Sequence, residues 1–108
     1  MKTSLKIIEF CNNLEKVSSD NEIEVLDPYK NSEVKEIYNT FYSKFFNDCD
    51  RRIILFGINP GRFGGGITGI PFTDPYNLLK YCGIESKFSQ KKELSSKFIY
   101  DMINSYGG

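Results

Sequence analysis

The chain contains no histidine, which removes the commonest general base and the commonest metal ligand. Catalysis, if there is any, must lean on carboxylates, on amides, or on residues outside this chain. Cys11, Cys49 and Cys82 are odd in number and far apart, with no C-x-x-C pair. That excludes a disulfide framework and a zinc ribbon, and predicts three reduced, mostly buried thiols. No apolar run approaches the roughly 20 residues needed to cross a bilayer. Glu9, Asn12 and Asn13 interrupt the N-terminal apolar stretch before it reaches signal-peptide length, which predicts a cytoplasmic protein. Net charge is also lacking, since 14 Lys and Arg balance 14 Asp and Glu over 108 residues. There are no repeats, low-complexity tracts or linkers, so a single domain at most is expected.

The balanced charge is unevenly placed. Residues 1–50 hold six Lys and Arg against ten Asp and Glu, and residues 51–108 hold eight against four. A phosphate-bearing partner would favour the basic half, although a solvated basic face is the simpler reading of charge alone.

Four stretches carry helical signals. Residues 4–17 space Leu5, Ile8, Cys11 and Leu14 on one side with Ser4 as an N-cap. Residues 31–47 set Val34, Ile37, Tyr38, Phe41, Phe45 and Phe46 at a 3.6-residue period behind Asn31 or Ser32, an aromatic stripe expected to be core. Thr73 or Asp74 can cap a helix with Pro75 at its first position and a stop at Gly83. Residues 93–106 place Leu94, Phe98, Met102 and Ser105, with Ile99 and Ile103 nearby, on one side of a last helix. Glu22 to Leu26 reads as at most a weak extended piece.

Ile53 to Ile58 is apolar throughout, which predicts a strand buried on both faces of a parallel sheet. Such a strand needs neighbours that the rest of the chain hardly offers. The expectation is therefore an α/β fold present in part, its sheet completed by a missing C-terminal half or by a partner chain. Asn59 falls where the strand ends, the place where open α/β sheets bind ligands. A glycine-rich loop follows it.

Gly64, Gly66 and Gly69 satisfy G-x-G-x-x-G, but Gly64 lies well beyond the strand and Pro71 stands where a dinucleotide-site helix should run. No G-K-[ST] is present, which excludes a P-loop. Residues 57–72, G-I-N-P-G-R-F-G-G-G-I-T-G-I-P-F, instead resemble the first active-site motif of the uracil-DNA glycosylase superfamily. The nearest branch is the single-strand-selective monofunctional enzymes, whose motif reads close to G-M-N-P-G-P-F-G-M-A-Q-T-G-V-P-F. The flanking aromatic helices agree more loosely, and the 108 residues correspond to the N-terminal half of such a domain.

The resemblance implies a three-layer α/β/α fold with a central parallel sheet. It also implies hydrolysis of the N-glycosidic bond of uracil or a 5-substituted uracil in DNA, as part of base excision repair, with base flipping and with neither metal nor cofactor. Asn59 matches the asparagine that orients the attacking water; as a bare turn residue before proline it would have no such role. Phe72 matches the aromatic that stacks on the flipped base, and could otherwise plug the core, a part that suits Phe63 better. Gly61 stands where the main uracil-removing branch has a methyl-excluding tyrosine, leaving room at C5. Ile58, Gly61, Gly64 and Gly66 would turn backbone N–H groups toward the base or a phosphate.

Two departures matter. Arg62 replaces a proline and could contact a phosphate or be a plain surface arginine, and Gly65-Gly66-Ile67 replaces Met-Ala-Gln. The histidine of the second motif has no counterpart, so this chain alone is expected to be inactive or nearly so. The alternatives are a non-catalytic nucleic-acid or nucleotide-binding module of the same fold, and a helical interaction domain.

Overall fold

The structure is a computed structural model that describes residues 1–15, 27–88 and 90–108. Its elements are α1 (Thr3–Asn12), a 3₁₀ turn (Pro28–Lys30), α2 (Ser32–Phe45), α3 (Gly65–Thr68), α4 (Pro75–Cys82) and α5 (Leu94–Ser105). The weak extended piece expected at 22–26 lies outside the described residues.

Local chemistry accounts for most helix ends. Asn31 caps α2 through its side chain, which accepts from the N–H groups of Glu33 (2.9 Å) and Val34 (3.3 Å). Asp74 does the same for α4, accepting from Asn77 N at 2.7 Å, with Pro75 at the first position where no N–H is needed. Gly83 ends α4 in the left-handed region at φ 68°, where a side chain would be strained. Ser4 does not cap α1. The first amides of that helix are taken by carbonyls beyond α2, Thr3 N donating to Asp48 O and Ser4 N to Phe46 O, both at 2.8 Å. Ser4 is consequently buried inside the helix.

The core lies between α1, α2 and α4 and is closed by α5. Cys11, Val34, Ile37, Tyr38, Tyr42, Ile70, Leu78, Cys82, Ile84 and Tyr100 form one buried cluster. Burying each of the larger side chains contributes about 1.5–3 kcal/mol. The aromatic stripe of α2 is core in part: Tyr38 and Tyr42 are buried, Phe41 and Phe46 half-buried, and Phe45 exposed. All three cysteines are free thiols, Cys11 and Cys82 buried and Cys49 exposed.

The three-layer α/β/α fold with a central parallel sheet is not found. Among the described residues there is no strand and no sheet. Residues 53–58 have no regular secondary structure, and among the described residues no backbone–backbone hydrogen bond reaches them. Ile53 and Phe56 are 92% and 90% exposed, and Ile58 is fully so. An apolar run specifies burial, whereas a strand also requires a second backbone whose N–H and C=O groups meet its own. What fixes this segment is its start. Arg52 pairs with Asp48 at 2.8 Å, lies 4.6 Å from the centre of the Phe46 ring and reaches the Phe45 carbonyl at 3.4 Å.

The inner side of α5 is not the one its apolar spacing marks. Leu94 and Phe98 are 87% and 68% exposed, while Ser96 and Tyr100 face inward. Polar bonds set that rotation, as Ser96 Oγ accepts from Asp74 N at 3.1 Å and from Asn77 Nδ2 at 3.0 Å, and Tyr100 OH lies 3.0 Å from Thr73 Oγ1.

Burial raises the phenols of Tyr42 and Tyr100 well above their ordinary value of 10.0, and raises the Cys11 and Cys82 thiols above 9.0. The folded state therefore holds these protons more tightly than the unfolded chain. Their contribution is complete below the unfolded values and is lost as pH rises through the folded ones. The urea midpoint is expected to be flat from pH 7 to about 8 and to fall steeply by about 11. A midpoint still unchanged at pH 11 would contradict these buried phenols.

Candidate base-binding cleft

Residues 60–73 form a loop held by one hydroxyl. Thr68 is fully buried, and its Oγ1 lies near the carbonyls of Thr73 (2.8 Å), Ile70 (3.3 Å) and Gly64 (3.4 Å), its single proton best placed for the closest, Thr73, while it accepts from Ile70 N at 3.1 Å. These bonds explain why four residues with two glycines make the helix α3. Gly69 then turns the chain at φ 75°, its carbonyl accepting from Tyr29 OH at 3.0 Å. A Cβ there would come within 2.8 Å of Val34, so glycine is required by both conformation and space.

The loop and the 53–58 segment enclose an open cleft of about 920 Å³ whose lining includes Gly57, Ile58, Asn59, Gly61, Phe72 and Glu93. Asn59 is exposed, its Nδ2 donating to the Pro60 carbonyl through a long bond of 3.4 Å. Phe72 is half-buried and is the only non-glycine residue with positive φ among those described, at 58°. A phenylalanine in the left-handed region costs roughly 1–2 kcal/mol. Its ring lies against Gly57, where an added Cβ would meet the ring at 2.9 Å. Phe63 is 43% exposed, so it does not plug the core beneath the loop.

Backbone donors of the loop are largely engaged. The N–H groups of Gly64 and Gly66 both donate to the Gly61 carbonyl, at 3.2 and 2.7 Å. The Phe63 N–H donates to Glu93 Oε1 at 2.8 Å. Arg62 is exposed and makes no ion pair among the described residues. The cleft thus brings together Ile58, Asn59, Gly61 and Phe72; Gly64 lies beside it against Glu93, and Arg62 and Gly66 lie in the adjoining turn.

Two residues lining the cleft escape a reading of the sequence. Gly57 stands inside the motif but carries no distinguishing signal other than its place. Glu93 lies 30 residues downstream of the Phe63 N–H it accepts from, and no local pattern connects the two. Its own N–H donates to the buried Asp74 at 2.8 Å. The carboxylate fills the space left by two missing side chains, because a Cβ on Gly61 or Gly64 would collide with Glu93 Oε2. Gly61→Ala is accordingly expected to expel the carboxylate and free the Phe63 amide. Hydrogen exchange at that amide should speed up about 10-fold or more, and an unchanged rate would show that Glu93 has another way to fit.

A second concavity of about 440 Å³ is lined by Glu33, Glu36 and Glu85 among others. Three carboxylates make it a poor site for a polyanion.

No family model matches the chain, and no curated protein matches it. Among solved structures, it is similar to the crystal structure of wild-type Pedobacter heparinus SMUG2, with 40% sequence identity and a TM-score of 0.89. The match covers 100% of this chain and 47% of that one. The resemblance carried by residues 57–72 therefore stands: along its whole length this chain is similar to about half of a single-strand-selective monofunctional uracil-DNA glycosylase.

Proposed function

We propose that this chain supplies one wall of the active site of a uracil-DNA glycosylase, acting on uracil or a 5-substituted uracil in DNA. The observation that carries the reading is that Asn59, Gly61 and Phe72, spaced as in the glycosylase motif, line one cleft. Asn59 orients the attacking water at the sugar C1′. An amide does this without adding charge, which suits a cation-like transition state and an anionic leaving group. Phe72 stacks on the flipped base, a contact worth roughly 1–3 kcal/mol that does not discriminate between bases. The glycine at 61 leaves C5 of the pyrimidine unobstructed. Ile58 and Gly61 bring backbone close to the base, and Arg62 meets a phosphate. Deaminated or oxidised pyrimidines in DNA are the substrates this arrangement suits, and repair is the process it serves.

The chain spans about half the length of the SMUG2 structure it matches, and it has no histidine to stabilise the departing uracil anion. The test is a chimera in which these 108 residues replace the matched part of Pedobacter heparinus SMUG2. Release of uracil from single-stranded DNA, read as alkali-cleavable abasic sites, is the expected result. A folded chimera that releases no base would overturn the proposal.

A further inference from the structure

The cleft opens beside a group of lysines whose charges are held on aromatic faces. Lys91 Nζ sits 4.8 Å from the centre of the Phe63 ring, and Lys92 Nζ 4.2 Å from that of Tyr76. Lys80 Nζ lies over two rings, 5.6 Å from Tyr76 and 5.0 Å from Tyr81. Tyr76 is thus shared by Lys80 and Lys92, and Lys91 is the neighbour of Lys92 in the chain. The shared ring and the chain adjacency place the three lysines on neighbouring aromatic faces. The group reaches the cleft, since Phe63 bonds through its N–H to Glu93 in the cleft wall.

The carboxylates on the same elements are engaged elsewhere. Asp74 is fully buried and accepts from Asn77 and from the Glu93 N–H. Glu93 faces the glycine loop, and Asp101 pairs with Lys97 at 2.6 Å. Of the four acids after residue 51, Glu85 alone is left, and it stands with Glu33 and Glu36 around the other concavity. The basic half of the sequence therefore keeps its positive charge at the surface instead of neutralising it internally.

A lysine held over a ring loses less freedom when it meets an anion than one waving in solvent, and its ammonium remains a compact charge suited to phosphate. We propose that Lys80, Lys91 and Lys92 form a track for the sugar-phosphate backbone of a single-stranded DNA lying beside the cleft, over the rings of Phe63, Tyr76 and Tyr81. The choice of DNA as the polyanion rests on the glycosylase reading of the cleft; the track itself rests on the charges and rings. It reads no sequence and holds uracil-bearing and thymine-bearing strands alike.

The test uses the 108-residue chain and a fluorescent oligothymidylate. Three phosphate contacts give a slope of log affinity against log salt of about −2, so binding weakens about 20-fold between 50 and 200 mM salt. The triple variant K80Q/K91Q/K92Q is expected to flatten that slope toward zero and to weaken binding about 10-fold or more at 50 mM. Lys2→Gln, Lys6→Gln and Lys35→Gln together remove the same charge from exposed positions on α1 and α2 and just before α1, and should leave the slope unchanged. Equal loss in the two triple variants, with folding confirmed by circular dichroism, would reduce the effect to net charge and overturn the track. Equal competition by a polyglutamate of the same length would overturn the assignment to DNA. If the chimera fails to release uracil while the track variant still loses its slope, the glycosylase reading falls and the track stands. Release by the chimera with an unaltered slope in the track variant overturns the track and leaves the glycosylase reading in place.

Discussion

Asn59→Ala is expected to lower uracil release by the chimera about 100-fold or more, the scale on which a single preorganised polar group at a reaction centre is felt. The side chain stands exposed at the cleft and, among the described residues, is tied by the long bond to its neighbour's carbonyl alone. Its removal therefore leaves no buried group unpaired and should not move the melting temperature by more than about a degree or two. A drop in rate without a drop in stability separates the water-orienting role from that of a turn residue before proline. Asn59→Asp keeps the shape and adds a charge near the departing anion, and should also be slow. If Asn59→Ala releases uracil at the parent rate, the asparagine does nothing for the chemistry.

Asp74→Ala is the second large effect, and it is a matter of stability. The carboxylate is wholly buried and receives three N–H groups, from Asn77 N at 2.7 Å, Asn77 Nδ2 at 3.2 Å and Glu93 N at 2.8 Å. Alanine leaves all three donors without their partner and removes the cap of α4. Each buried donor left unsatisfied costs about 1–3 kcal/mol, and the cap about 1 kcal/mol. Sharing among neighbours brings the expected total to roughly 3–5 kcal/mol. For a domain of this size that is a fall in melting temperature of about 12 °C or more. The Glu93 N–H would lose its anchor at the same time, so the Phe63 amide should exchange faster as well. Asp74→Asn keeps one acceptor oxygen and should recover part of the loss. A melting temperature within a few degrees of the parent in Asp74→Ala would mean that water takes the carboxylate's place.

Where a structural decision is made by residues close in the chain, the sequence announces it. Asn31 before Ser32, Asp74-Pro75 and Gly83 each mark a helix end through their own chemistry, and the ends fall where those residues stand. The motif from Gly57 to Phe72 is legible for the same reason. Decisions made by distant partners are not. Residues 53–58 carry the composition of a buried strand, yet pairing depends on a second segment, and apolar composition alone cannot supply one. The rotation of α5 departs from its apolar pattern because Ser96 and Tyr100 are drawn inward by Asp74, Asn77 and Thr73, against the pull of Leu94 and Phe98. Glu93 stays hidden because an exposed-looking glutamate in a polar loop gives no sign of the two glycines that make room for it.

The exposed run from Ile53 to Phe56 has a consequence for handling as well as for fold. Four consecutive apolar residues whose backbone donors and acceptors meet no backbone partner among the described residues are a template on which identical chains can stack into fibrillar assemblies. Arg51 and Arg52 stand immediately before them, in the place where natural sequences set charged gatekeepers beside an unavoidable sticky stretch. One of the two is already committed, because Arg52 is tied to Asp48 and Phe46. The guarding charge at this stretch thus falls to Arg51.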